Sequence, residues 1–330
     1  MDEKLTLFKN LGKLMSLSNT EGHAKTLGLE VVDVEIGKVV MKLHYHNDLI
    51  ASPDTGVIAG GAVTALLDSC AGFVSITTLE PMGVTATIDL RIDYLRSPEP
   101  NKTIYAEVEV VRTTKYVVFT RGVAWQEKDK PLAYATGNFV NNPMSPAMKQ
   151  MLFGNTKLVE HLPPRQGNYQ AVELISEAIS KEKLKQAREQ DDANLLINFI
   201  PYARLLGMKR VEADQKGRWL FLMPPAQKLI GNHMIPALHG GAIAGFMETS
   251  AILHLIMKMT VDHVPKVVDI NIDYIRPGLL KPTYSRCKII RFGSRLVSME
   301  VICWQDNEAE PIAKARLQAL IDKDLSQLNS

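Results

Sequence analysis

Three cysteines serve 330 residues, and no two of them (Cys70, Cys287, Cys303) stand in a C-x-x-C or other metal-ligand spacing. That scarcity argues against a disulfide scaffold and predicts a reducing compartment such as the cytoplasm. An excess of one charge sign is missing too: a formal net charge of +2 gives no case for nucleic acid or an anionic membrane as partner. No G-x-S-x-G elbow, P-loop or G-x-G-x-x-G is present, so serine-hydrolase, phosphoryl-transfer and dinucleotide chemistries lack their signatures. His233, His254 and His263 have no metal spacing with a cysteine or an acidic pair, so neither a metal nor another cofactor is expected. The opening MDEKLTLFKNLGKLMS lacks an uninterrupted apolar run of the export type. The most membrane-like stretch, 57–79, has Asp68 at its middle. A carboxylate there costs a spanning helix roughly 2.5–3.5 kcal/mol, so a helix buried inside a folded protein is expected.

What is present is a repeat. IAGGAVTALLDSCA (58–71) returns as LHGGAIAGFMETSA (238–251), with Gly60, Gly61 and Ala62 matching Gly240, Gly241 and Ala242. Asp68 matches Glu248, whereas His239 faces Ala59. TIDLRIDYLRSP (87–98) returns as VDINIDYIRPG (268–278), again 180 residues on. LGLEVVDVEIGKVVMKL (27–43) resembles LGMKRVEADQKGRWLFL (206–222), and AWQEKDKPLAYA (124–135) resembles CWQDNEAEPIAKA (303–315). Four blocks in one order mean a duplicated domain, with a period too long for a solenoid.

Within a copy, Ala86, Ile88, Leu90, Ile92 and Tyr94 alternate with Thr85, Thr87, Asp89, Arg91 and Asp93, which predicts a half-buried strand. The β-rich runs 102–114, 115–127 and 131–140 follow with short turns between them, while the Gly-Gly segment reads as a long apolar helix. An antiparallel sheet curled around one central helix satisfies that order. The boundaries are 1–142 for the first domain, 143–192 for a linker and 193–330 for the second domain. Within the linker, 170–189 reads as a charged amphipathic helix whose Val172, Ile175, Ile179 and Leu184 are expected to pack on the second copy.

The H-G-G helix with an acid eight residues on, followed by a D-x-x-x-D-Y-x-R strand and a meander containing Trp-Gln, resembles the PaaI-like hot-dog-fold thioesterases. The likeness covers about 20–140 and 198–322. It implies an α+β chain of two tandem hot-dog domains packed as a pseudo-dimer, able to assemble further into a homo-oligomer. It also implies hydrolysis of an acyl-coenzyme A thioester where the domains meet. Geometry leads to the same pairing. Gly240 and Glu248 on one helix lie roughly 12 Å apart along its axis, so they cannot serve one carbonyl together. Two helices packed antiparallel can, each offering its start to the other's acid.

By that reading the first site joins Asp68 and Thr87 to Gly240, His239 and Asn232, with Asp68 as general base or nucleophile and His239 fixing the helix start. The second joins Glu248 to Gly60. There Ala59 replaces the histidine and Val267 the threonine, so it reads as the weaker site. Arg96 and Arg276 are candidates for coenzyme A phosphates. Gly60–Gly61 and Gly240–Gly241 are expected to allow close helix–sheet packing as well, and Cys70 to lie in the core. Two alternatives stay open: a degenerate acyl-CoA-binding or dimerisation module, and a hot-dog enoyl-CoA hydratase or dehydratase. Asp54 stands where a hydratase-like pattern would want histidine, which disfavours the latter.

Overall fold

The computed structural model describes residues 3–17, 22–144, 174–211, 220–232, 236–259 and 263–321. The first copy runs β1 (Leu29–Glu35), β2 (Lys38–Leu43), a small ladder of β3 (Ile50–Ser52) with β4 (Val57–Ile58), then a core helix, Gly60–Thr77. It continues through β5 (Gly83–Tyr94), β6 (Ile104–Thr113), β7 (Val117–Glu127) and β8 (Lys130–Pro143). The second copy repeats the order: β9 (Lys209–Val211), β10 (Leu220–Met223), the ladder β11 (Ile230–Asn232) with β12 (Ala237–Leu238), and a second core helix, Gly240–Lys258. Then come β13 (Lys266–Tyr274), β14 (Thr283–Phe292), β15 (Leu296–Trp304) and β16 (Ala313–Leu320).

All but the small ladders join one 12-stranded antiparallel sheet, ordered β1-β2-β6-β7-β8-β5-β13-β16-β15-β14-β10-β9. The two halves meet at β5 and β13, where Arg91 pairs with Asn271, its own counterpart in the repeat. A local two-fold axis therefore passes between them. Asp93 faces Asp269 and Asp89 faces Asp273 across this seam. Arg91 relieves the repulsion by donating to Asp93 at 3.0 and 2.5 Å, and Asn138 donates to both oxygens of Asp89 at 3.0 and 2.7 Å.

Both core helices are long and apolar enough to cross a membrane by composition, yet 78% of each such window is buried in the protein. Cys70 lies in the core, as its sequence position suggests, its thiol against the carbonyls of Val39 and Ala106. The two helices cross antiparallel, with Gly60 opposite Glu248, Gly61 opposite Gly245, Ala65 opposite Gly241 and Asp68 opposite Gly240. A Cβ on Gly61 would lie 2.5 Å from Cα of Gly245, and one on Gly241 would lie 2.5 Å from Cα of Ala65. Gly61 and Gly241 therefore serve helix–helix contact, while Gly60 also lies against Tyr94 of β5.

Two further expectations are corrected. The strict alternation of residues 85–94 breaks at Ile88, where the β5–β8 register slips between Thr87 and Asp89. The slip reverses which residues face the helix. Leu90 and Ile92 are buried beyond it, whereas Ile88 is 36% exposed and Thr85 and Thr87 turn inward before it. In the linker the helix is Glu177–Glu189, while Val172 lies outside the described residues. Its buried face is Ser180, Leu184 and Ala187, against the second core helix, and Ile179 is 50% exposed. Ile179 thus faces away from the second copy, against the expectation from its periodicity. A further helix, Glu3–Leu17, lies on β1 with Gly12 against Val31.

The helix crossing yields a first prediction. Gly61→Ala or Gly241→Ala should each destabilise the chain by about 1–3 kcal/mol, the usual cost of overpacking, because backbone must move. The urea midpoint measures it, and an unshifted midpoint would contradict the crossing geometry.

Candidate active sites at the helix crossing

At the Asp68 end, three elements converge on one carboxylate. The bulge at Ile88 delivers Thr87, whose hydroxyl donates to Asp68 Oδ1 at 2.9 Å. Asp68 is 5% exposed, and its Oδ2 lies 2.8 Å from where a Cβ on Gly240 would stand. Glycine is thus required for the carboxylate to meet the helix start. His239 caps that helix, its Nδ1 accepting from the Gly241 N–H at 2.9 Å. The lone pair on Nδ1 fixes the proton on Nε2, which donates to Ser69 Oγ at 3.0 Å. Ser69 Oγ in turn donates to the Ala65 carbonyl at 2.7 Å. Although Nδ1 lies 3.4 Å from Asp68 Oδ2, burial pushes the His239 pKa down against the pull of Asp68. The contact is therefore a neutral imidazole beside a carboxylate, not an ion pair.

Two residues join this end that the sequence did not mark. Tyr274 donates to the Gly240 carbonyl at 2.9 Å. His23 is buried with its ring 5.4 Å from that of His239, and burial, then His239 itself, holds its pKa well below the usual value. Asn232 ends β11, but its side chain lies outside the described residues.

The Glu248 end is built from the same positions with different groups. Glu248 is 4% exposed and its Oε1 presses against Gly60, closer than a side chain there would permit. Val267 cannot donate as Thr87 does. Instead Tyr94, counterpart of Tyr274, donates to Glu248 Oε2 at 2.9 Å and accepts from Thr64, 2.7 Å away. The extra methylene of glutamate carries the carboxylate to this phenol. Burial pushes the Glu248 pKa up from 4.5 to about 7, with the Tyr94 bond pulling the other way. The helix start here has no side-chain cap, since Ala59 has no acceptor to offer.

A cavity of about 730 Å³ opens on this end. Gly60, Gly61, Tyr94, Tyr202 and Glu248 line it, with Val63, Leu184, Ile200, Ile252 and Leu253 as apolar wall. Its volume falls within the usual range for small-molecule sites. Ala59 and Thr249 line it too, at the positions that His239 and Ser69 fill with a hydrogen-bonded imidazole at the other end. The histidine-to-alanine difference thus makes room. Arg96 and Lys266 also line the cavity, whereas Arg276 is not among its lining residues and donates to the Pro311 carbonyl at 2.9 Å. Asp54 lines it as well, accepting from Ser52 at 2.5 Å.

The repeat of Tyr94 in Tyr274 was visible in the sequence, but as strand pattern. Nothing local marked Tyr202, since its partners lie on two other helices. Among the described residues, no group of three His, Cys, Asp or Glu is placed to hold a metal ion.

A family model described as thioesterase superfamily matches residues 55–133 and again 236–312. A Halobacterium salinarum protein, provisionally assigned as an esterase, is 30% identical over 102 residues, spanning 30% of this chain and 66% of its own length. Among solved structures, the tesB protein of Mycobacterium avium subs paratuberculosis aligns over 93% of this chain and 100% of its own at TM-score 0.58 and 13% identity. A protein of Alicyclobacillus acidocaldarius described as having the hot dog fold aligns over 89% of this chain and 96% of its own at TM-score 0.54 and 10% identity. At such identities these two speak for the fold, across both copies, and the family model recurs at both halves of the repeat. Each half of the repeat thus matches the thioesterase superfamily model, and the chain folds as two hot-dog domains in tandem.

Proposed function

We propose that the chain hydrolyses acyl-coenzyme A thioesters where its two domains meet, with Glu248 and the Gly60 helix start as the working pair. The observation that carries this reading is the cavity, which brings a buried carboxylate and an uncapped helix start to one apolar pocket. The residue pattern alone favours Asp68; the cavity among the described residues favours Glu248. The acyl group lies along the apolar wall, and Arg96 and Lys266 meet the phosphates of coenzyme A.

Ionised Glu248 takes a proton from water, whose oxygen adds to the thioester carbonyl carbon. Negative charge moves to the carbonyl oxygen, facing the N–H groups and the positive end of the helix dipole at Gly60 and Gly61. The C–S bond then breaks, and the thiolate takes the proton that Glu248 holds, giving free acid and coenzyme A. A carboxylate with a pKa near 7 suits a general base at neutral pH.

Thiol release from short, medium, long and aromatic acyl-CoAs tests the reading. Glu248→Gln should lower kcat by about 10²–10⁴-fold, the usual share of a general base, whereas Asp68→Asn should leave most of the activity. Loss confined to Asp68→Asn would move the chemistry to the other end, and no thiol from any substrate would leave the acyl-CoA-binding alternative. In the parent, kcat/KM should rise with pH and level off above about 7, as Glu248 ionises.

Stability gives an independent reading of the same carboxyl. With its folded pKa raised from 4.5 to about 7, Glu248 favours the fold fully below pH 4.5 and loses that contribution as pH rises through 7. The cost of ionisation in the fold is on the order of 3 kcal/mol. Glu248→Gln should therefore raise the melting temperature at pH 8 and leave it nearly unchanged at pH 4. An equal shift at both values would contradict the raised pKa.

A further inference from the structure

Tyr202 is fully buried, and its hydroxyl has no hydrogen-bond partner. It stands in the short helix Pro201–Leu205, four residues before the Leu206–Gly207 that ends it, as His23 stands four before Leu27–Gly28 in the first copy. Gly207 and Gly28 both adopt positive φ, 68° and 75°, so the two short helices end alike and present equivalent positions to opposite ends of the crossing. His23 meets the ring of His239 at the capped end. At the other end Ala59 offers no ring, and Tyr202 lines the cavity.

The phenol is held against the helix crossing. Its hydroxyl lies 3.1 Å from where a Cβ on Gly61 would stand and presses on Gly245, which only glycine permits. It feels the charge of Glu248, yet Glu248 accepts from Tyr94 rather than from Tyr202. A buried O–H without an acceptor ordinarily costs about 1–3 kcal/mol, a reason to expect an acceptor supplied from outside the chain. The Gly61 N–H stands in the same position: its counterpart Gly241 donates to His239, while the first core helix has no side-chain cap. Two donors on different elements thus belong to residues that line the same cavity as the carboxylate.

We infer that Tyr202 is a catalytic residue whose hydroxyl donates to the thioester oxygen, making with the N–H groups of Gly60 and Gly61 a mixed oxyanion hole. This rests on the assignment of chemistry to the Glu248 end. It also gives Ala59 a positive role, because an imidazole in its place would occupy the Gly61 N–H and the space over it. Tyr94 cannot take the part, being committed to Glu248 and Thr64.

Tyr202→Phe keeps the ring and removes only the hydroxyl. Thiol release should fall by about 10²–10³-fold in kcat, as for loss of one oxyanion donor, with KM little changed. The melting temperature should stay equal or rise, since no intramolecular bond is lost, whereas a purely structural hydroxyl would lower it. Binding is measured separately with two non-hydrolysable acyl-CoA analogues. In one, a methylene replaces the thioester sulfur and the carbonyl is kept; in the other, a methylene replaces the carbonyl. The parent should prefer the carbonyl-bearing analogue, and Tyr202→Phe should lose that preference. An unchanged kcat with the preference intact overturns the role of Tyr202 while leaving hydrolysis at Glu248 standing. If the parent releases no thiol but prefers the carbonyl analogue, hydrolysis falls and Tyr202 is judged by the binding arm. If the parent binds neither analogue, both assignments fall.

Discussion

The close antiparallel crossing of the two core helices is the constraint on which the rest of the molecule depends. Gly61 rests on Gly245 and Gly241 on Ala65, at separations that leave no room for another Cβ. A helix start and a carboxylate eight residues along the same helix point away from each other. Only when the second helix comes this near, running the other way, does each acid meet a helix start. The sheet enforces the pairing from outside, since β5 and β13 join with Arg91 opposite Asn271, on the same local two-fold. Sheet seam and helix crossing are thus two expressions of one symmetry, and each fixes the other's register.

Closeness also sets the electrostatics. Both carboxylates are buried, so each keeps its place largely through specific donors rather than bulk solvation. Asp68 has the Thr87 hydroxyl, and a neutral imidazole stands beside it. Glu248 has one phenol, and burial outweighs that bond, lifting its pKa to about 7. The ends differ less in the presence of an acid than in how the helix start beside it is capped. At the capped end His239, Ser69, Ala65 and Gly241 use one another's donors and acceptors, while both ring nitrogens of the neighbouring His23 are buried without a partner. At the other end a helix start without a side-chain cap and a phenol without a partner border a cavity.

Much of the frame was legible in the residues. The 180-residue spacing of Gly60/Gly240, Asp68/Glu248 and Tyr94/Tyr274 gave the duplication. Helix rise alone showed why one copy could not complete a site. What stayed hidden follows from non-local physics. Alternation along 85–94 looked unbroken because a bulge adds a residue without altering the polar–apolar pattern, yet the slip at Ile88 decides that Thr87 reaches Asp68. Ile179 matched a helical stripe, but the face that the second copy covers is set by Ser180, Leu184 and Ala187. Tyr202 was silent because its significance lies in Gly61 and Gly245, neither on its own helix.

Ala59 shows most clearly how a residue list and a structure can weigh the same difference in opposite ways. Set beside His239 in an alignment, alanine is a lost side chain, and with Val267 for Thr87 it suggests decay. In three dimensions the histidine uses up a helix-start N–H and fills the space above it, so alanine in its place frees a donor and widens the pocket. A homodimer of identical domains would carry any such change at both ends of the crossing at once. It would gain open pockets and lose both histidine caps together. Covalent duplication removes that coupling: one end keeps the histidine cap of its helix start, while the other leaves its helix start without a side-chain cap beside a cavity. The asymmetry between Asp68 with His239 and Glu248 with Ala59 is one that a homodimer of identical domains could not carry.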